Sequence, residues 1–320
     1  MTLLARQAQG QLPLGLPVGP PPLSPLTPPA RPLPGLSPPT AFSPPTGQLL
    51  KWIGNKQRFA SVIVALFPQR FGTYHEPFVG SGAVLATLAH PSAVASDVLG
   101  PLIGIWQAVQ DSPEALVAAY EERWHRLMSG DKVAAYRQIR ADYNASPNAW
   151  DLVMLARSCY GGVIRFAKDG SMNTPCGPHR PVSPESFAER VATWRPRIRQ
   201  VHFFHRDFEA SLDAAESGDL VYCDPPYADS EATLYGAQGF VLERLMAAIA
   251  RCKARGVHVA LSIDGTKRSG DRVCNVPIPE GVFETEAAVD CGRSMLRRFQ
   301  MGGRTLEAEV VADRLLLTWG

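Results

Sequence analysis

His75-Glu76-Pro77-Phe78-Val79-Gly80-Ser81-Gly82 extends a short stretch that starts at Tyr74, and Ala83–Ala89 follows it with helical character. The order reads as strand, glycine turn, helix. Gly80 and Gly82 permit a tight turn and let a ligand approach the backbone N–H groups at the helix start, which suits a nucleotide-like or carboxylate-bearing ligand. The run is not the full G-x-G-x-x-G dinucleotide fingerprint, so alone it is a weak signal. An acid, Asp97, ends the next apolar run, Ala93–Ser96. That is roughly twenty residues on, where a carboxylate meets ribose hydroxyls in doubly wound sheets.

Further short apolar runs alternate with longer amphipathic segments, and an α/β fold follows. Beside Tyr74–Glu76 and Ala93–Ser96, strands are expected at Val201–Phe204, Leu220–Cys223, Val257–Ser262, Val282–Ala287 and Glu309–Leu317. Between about Asp111 and Arg199 this rhythm breaks. Helical spacing takes over in Ala115–Trp124, Val133–Tyr143 and Trp150–Ser158, which reads as a mostly helical insertion.

The chain has 320 residues, 45% of them hydrophobic, enough for a large core and too long for a disulfide-stapled miniature fold. Its 32 Lys and Arg nearly balance 30 Asp and Glu, so contact with a polyanion must come from local basic patches. Six scattered cysteines, with no C-x-x-C pair, speak for reduced thiols and against structural zinc, and no metal site is expected. No apolar run approaches membrane-span length, so a cytoplasmic protein without a membrane partner is expected, with a monomer as the default. Fourteen of the 29 prolines lie between Pro13 and Pro45. Residues 1–46 are expected to be a disordered, partly polyproline-like tail, a dispensable extension rather than a partner-binding arm.

The most specific motif is Leu220-Val221-Tyr222-Cys223-Asp224-Pro225-Pro226-Tyr227. Two consecutive prolines lack N–H donors, stop the strand and hold the Asp224 carboxylate and Pro225 carbonyl as fixed acceptors at the sheet edge. Tyr227 offers a flat face. Two acceptors beside an aromatic plane fit the exocyclic amino group of a stacked base. Lys51-Trp52-Ile53-Gly54-Asn55-Lys56 supplies a cation to neutralise a carboxylate and a ring to cover a ligand. A loop with turn residues, bases and aromatics, Tyr160 to Phe166 and Gly170 to Gly177, sits inside the helical insertion, as a groove-reading loop would. Arginines cluster at 180, 190, 195, 197, 199 and 206, and again at 293, 297, 298 and 304, and phosphate contact is expected of them.

Together, Lys51-Trp52-x-Gly54-x-Lys56, Glu76-Pro77-Phe78-Val79-Gly80-Ser81-Gly82, Asp97 and Asp224-Pro225-Pro226-Tyr227, in this order, resemble the Dam-like DNA adenine-N6 methyltransferases from about Leu49 to the C-terminus. The resemblance implies a Rossmann-like methyltransferase with a mixed seven-stranded sheet and an inserted, mostly helical DNA-recognition domain. The catalytic, S-adenosylmethionine-binding domain would be 47–110 with 200–320, and the target-recognition insertion 111–199. The family's cofactor positions fall on Trp52, Lys56, Asp97 and Asp224. The turn with Glu76, Pro77, Phe78, Gly80 and Gly82 would hold the methionine end, and Asp207-Phe208 would face the adenine. Asp224, Pro225, Pro226 and Tyr227 would be catalytic. Lys51, Tyr160, Arg165 and Asn173 would meet double-stranded DNA, with Arg165 at the position of a family arginine that reads a guanine.

Two departures stand out. Gly161 replaces the Asn that follows the tyrosine in close relatives, which leaves the recognised site open between GATC and another short sequence, and Val98-Leu99 replaces the usual Ile-Asn. A cognate restriction endonuclease is a possible partner. Related tetrads also methylate RNA bases or protein glutamine, and a catalytically inactive DNA-binding relic is the alternative of another class.

Overall fold

The computed structural model describes residues 43–226, 240–267, 272–273, 276–293, 300–301, 304–305 and 310–320. Most of the proline-rich stretch, Tyr227, and the side chains of Arg293, Arg297, Arg298 and Arg304 lie outside the described residues.

The chain order is α1 (Ala60–Ala65), β1 (Tyr74–Glu76), α2 (Ala83–Leu88), β2 (Ala93–Asp97), α3 (Gly100–Asp111), α4 (Pro113–Met128), α5 (Lys132–Ala145), α6 (Ala149–Ser158), α7 (Pro184–Ile198), β3 (Val201–His205), α8 (Phe208–Asp213), β4 (Leu220–Cys223), α9 (Leu242–Ala254), β5 (His258–Lys267), β6 (Thr285–Arg293) and β7 (Val310–Leu317). The main sheet runs β3-β2-β1-β4-β5-β7-β6, and the two-residue strand Arg272–Val273 pairs with the end of β5. Strands β1 to β5 are parallel, whereas β7 runs antiparallel to both its neighbours. This is the expected mixed sheet of seven strands. The strand order reverses between β1 and β4, so a crevice opens beyond their C-terminal ends, where open α/β sheets bind ligands.

Alternation along the strands divides the core in two. Leu220 and Tyr222 of β4 face one side with Tyr74, Ala95 and Phe203, and that side carries the helices α1 to α7. Val221 and Cys223 face the other, with Leu212 of α8 and Leu245, Ile249 and Cys252 of α9. Burial on both faces explains why β4 reads as a continuous apolar run rather than an alternating one.

Helices α3 to α7 lie between β2 and β3, and their starts are written in the sequence. Asp131 accepts from the N–H groups of Val133 and Ala134 ahead of α5, Asn148 accepts from Asp151 ahead of α6, and Ser183 from Ser186 ahead of α7. The helical block has no core of its own apart from the sheet. Trp106 of α3 is fully buried, 5.5 Å from the Trp194 ring of α7 and stacked at 6.3 Å on Phe203 of β3. Sheet and helices are thereby one packed body on this side, and a displacement of α7 is felt at the strands.

The segment leading into the motif at Trp52 is laced onto these helices. Arg197 Nη1 donates to Ser43 O at 2.7 Å, Trp194 Nε1 to Gly47 O at 3.0 Å, and Arg190 Nη1 to Gln48 O at 2.6 Å. Arg157 Nη1 reaches Gln48 O at 2.9 Å and Leu49 O at 2.8 Å, while Leu49 and Leu50 enter the core. Among the described residues no helix is long and apolar enough to cross a membrane.

Candidate active site

A cleft opens at the switch point. Its wall begins where β1 ends, at Glu76-Pro77-Phe78-Val79-Gly80. Val79 N–H bonds to Ser96 O of β2, and the chain then needs a left-handed turn, with φ of 44° at Gly80 and 63° at Gly82. A side chain would strain both positions. At Gly80 a Cβ would also stand 3.2 Å from Trp52 Nε1, so the glycine lets the Trp52 ring close over the turn. Gly82 faces away, toward the Trp106 ring, and shapes the turn from behind rather than lining the cleft.

The other residues assigned to the cofactor come together: Trp52, Lys56, Glu76, Pro77, Phe78, Gly80, Asp97, Asp207, Phe208 and Asp224 all line the cleft, as do Pro225 and Pro226. Asp97 ends β2 and is pinned by N–H donors from Leu99 at 3.0 Å and Gly80 at 3.2 Å. Burial outweighs these bonds and pushes its carboxyl up to about 6. Glu76 is buried at the end of β1 and accepts the Tyr74 hydroxyl at 2.6 Å. Burial, with a smaller push from the Asp224 charge, raises it to about 8 despite that bond. With its carboxyl raised this far, Glu76 holds a proton at neutral pH. A cationic group placed against it would draw that proton off.

Asp207 caps α8, accepting from Glu209 N–H at 2.9 Å, and pairs with Arg244 at 3.4 Å. Phe78 stacks on Phe208 at 5.3 Å, and Phe240 meets both rings edge-on at 6.0 and 5.8 Å. The three rings make an apolar end to the cleft. Phe240 escaped the sequence reading, because no spacing rule ties an aromatic just before α9 to β1.

Pro225 and Pro226 stop β4 and leave Asp224 facing Lys56, whose Nζ lies 2.8 Å from Asp224 Oδ1 and is almost fully buried. The same ammonium donates to Gly54 O at 3.2 Å and pairs with Asp313 Oδ2 at 3.6 Å. Asp313, on β7, was also missed. Its one sequence signal is an acid within the apolar run Val310 to Leu317.

The residues assigned to DNA do not line the cleft: Tyr160, Arg165 and Asn173 lie on one loop and Lys51 precedes Trp52. Lys51, Tyr160, Arg165 and Asn173 are all exposed. Tyr160 N–H bonds to Pro175 O and Asn173 N–H to Arg165 O, which closes residues 160–175 into a hairpin-like loop. Gly161 and Gly162 both have positive φ, and a Cβ on Gly162 would come within 3.0 Å of Lys51, so Lys51 packs directly on this turn. The left-handed backbone at 161 is one that Gly and Asn share, so exchanging one for the other keeps the turn and removes only a side chain.

Part of the arginine cluster is engaged by the protein itself. Arg190 and Arg197 hold carbonyls of the 43–48 segment, Arg195 holds Gln110 O, and Arg206 bonds Ser211 Oγ while stacking on Phe204. Each of these four guanidiniums gives a donor to the protein itself, while Arg180, Arg195 and Arg199 remain exposed.

A sequence profile of the D12 class N6 adenine-specific DNA methyltransferases matches residues 52–267, from the Trp52 lid through β5. The chain belongs to this family. Among the relatives of this methyltransferase are the Retron Ec67 DNA adenine methylase of Escherichia coli, 30% identical over 60% of this chain and 67% of that protein, and a type II methyltransferase of Lactococcus lactis, 27% identical over 66% and 79%. The DNA adenine methylase of Vibrio cholerae is 29% identical over 67% of this chain and 79% of its own. The enzyme is accordingly an adenine-specific DNA methyltransferase, and its substrate is DNA.

Proposed function

We propose that the enzyme transfers a methyl group from S-adenosylmethionine to N6 of an adenine turned out of duplex DNA into this cleft. The observation that carries the reading is the charge and shape of the cleft. Four carboxyl groups, Glu76, Asp97, Asp207 and Asp224, line the cleft with one ammonium, Lys56, three phenylalanine rings and the rigid Asp-Pro-Pro corner. Such a lining fits a donor that is itself cationic and carries a ribose and a purine. The buried Glu76, which accepts the Tyr74 hydroxyl, matches an α-ammonium, and Asp97 matches ribose hydroxyls. Phe78, Phe208 and Phe240 fit the apolar faces of the purine. When bound, the donor supplies an electrophilic methyl group on a positively charged sulfur.

The remaining chemistry belongs to the protein. The amino nitrogen of adenine is a poor nucleophile because its lone pair is delocalised into the ring, and in duplex DNA it is also paired and stacked. The base must leave the helix. In the cleft its N–H bonds would go to the Asp224 carboxylate and the Pro225 carbonyl, drawing the nitrogen toward tetrahedral geometry and freeing the lone pair, with Tyr227 as stacking face. The prolines keep both acceptors in place without a conformational search. Orientation of two bound reactants supplies roughly 7 kcal/mol or more, the main source of rate here.

In this reading residues 47–110 and 200–320 hold the donor and the target base, and 111–199 read the DNA. Lys51 and Tyr160 flank the loop that presents Arg165, whose guanidinium suits a bidentate contact to guanine, and Asn173 lies beside it. Tritium transfer from labelled donor to duplex oligonucleotides tests the proposal. Label in N6-methyladenine supports it, and label in RNA, in protein or in no acceptor overturns it.

A further inference from the structure

Lys56 is not paired with Asp224 alone. Its ammonium is nearly sealed from solvent and stands between two carboxylates, Asp224 at 2.8 Å on the loop after β4 and Asp313 at 3.6 Å on β7. Asp313, two residues before the buried Leu315–Leu317 on an interior strand and itself only 12% exposed, is a costly place for a charge unless it is paired. The backbone also departs from regularity there. The register of β7 against β5 shifts between Ala312 and Asp313, and against β6 between Val310 and Ala312. In both pairs the extra residue lies in the partner strand, which bends the ladder at the point where Asp313 meets Lys56.

The consequence is electrostatic. A buried ammonium bound to Asp224 alone would neutralise the carboxylate that must accept hydrogen bonds from the target amino group. Shared between two carboxylates, the same ammonium fixes the orientation of Asp224 through Oδ1 and cancels only part of its charge. We propose that Asp313 is a positioning residue of the methyl-transfer site, acting through Lys56 to hold the Asp224 carboxylate in place and keep it negative. The proposal rests on the reading of Asp224 as the acceptor for the adenine amino group.

The test compares single-turnover methylation by the wild type, Asp313→Asn, Asp313→Ser, Lys56→Met and Lys56→Met with Asp313→Asn, with the affinity for labelled S-adenosylmethionine measured on each. Wild-type transfer to adenine establishes the underlying reading first. If it fails, that reading falls and the role of Asp313 falls with it. Given wild-type transfer, both Asp313 variants should bind the donor within a few-fold of wild type yet transfer methyl on the order of 10- to 100-fold more slowly. The double variant should be no slower than Lys56→Met, because the effect travels through the lysine. The two Asp313 variants remove the charge with different shapes, so loss of folding in one leaves the other to decide. Unchanged transfer in a folded, donor-binding Asp313 variant, or additive losses in the double variant, would overturn the role of Asp313 and leave the chemistry at Asp224 standing.

Discussion

Replacing Glu76 by Gln should stabilise the free enzyme at neutral pH while weakening its hold on the methyl donor. The amide keeps the shape and an acceptor for the Tyr74 hydroxyl, and it removes only the ability to ionise. In the folded enzyme burial raises the Glu76 carboxyl from 4.5 to about 8, so between those values the folded chain holds a proton that the unfolded chain has released. Stability therefore falls as pH rises through this window. At about 1.4 kcal/mol per tenfold step, the whole span is worth on the order of 5 kcal/mol, and the part reached by pH 7 on the order of 3 kcal/mol. Asp97, raised to about 6, contributes in the same direction but is present in both proteins and cancels in the comparison. Thermal unfolding of wild type and Glu76→Gln from pH 4.5 to 8.5 should give curves that diverge steadily, with the variant flatter and more stable above pH 6. Calorimetric titration with S-adenosylhomocysteine should show affinity reduced on the order of 100-fold, the loss expected when one partner of a buried charged contact is removed. Parallel unfolding curves would refute the reasoning, since Glu76 would then ionise as freely in the folded state as in the unfolded one.

Asp224→Ala should abolish methyl transfer and leave DNA affinity in a gel-shift assay within a few-fold of wild type. Gly80→Ala places a Cβ at a left-handed backbone position 3.2 Å from Trp52, so it should cost about 1–2 kcal/mol in chemical denaturation and weaken the donor as the Trp52 lid is displaced. Arg157→Ala removes the donor to the Gln48 and Leu49 carbonyls, and about 1.5–3 kcal/mol of lost stability should appear with reduced donor affinity, because the Lys51 to Lys56 loop loses its anchor. Arg165→Ala should lower discrimination at one base pair by about 1–3 kcal/mol, measured as relative methylation rates on oligonucleotides varied at each position of the site.

What the sequence disclosed was whatever depends on neighbours along the chain. The glycine turn after β1, the acid closing β2 and the Asp-Pro-Pro stop after β4 are local backbone constraints, and each sits in the cleft wall where its residues imply. The seven strands were legible in outline, although β5 continues to Lys267, beyond the expected end at Ser262, and β6 spans Thr285–Arg293 where Val282–Ala287 had been expected, because its first residues are exposed rather than an apolar run. What stayed hidden depends on residues far apart in sequence. Asp313 matters only because the sheet sets β7 beside β5 and a register shift precedes it. Phe240 matters only because it packs on Phe78 and Phe208. The arginines of α7 look like a phosphate-binding patch in sequence, since nothing local reveals that the carbonyls of residues 43–48 lie against them.

Single-molecule sequencing of DNA from a methylation-deficient host expressing the enzyme, beside a host expressing Asp224→Ala, tests the central claim most directly. N6-methyladenine at one short sequence motif with the wild type, and none with the variant, is the predicted result. Unmodified adenine throughout, from a folded protein that binds S-adenosylmethionine, would contradict it.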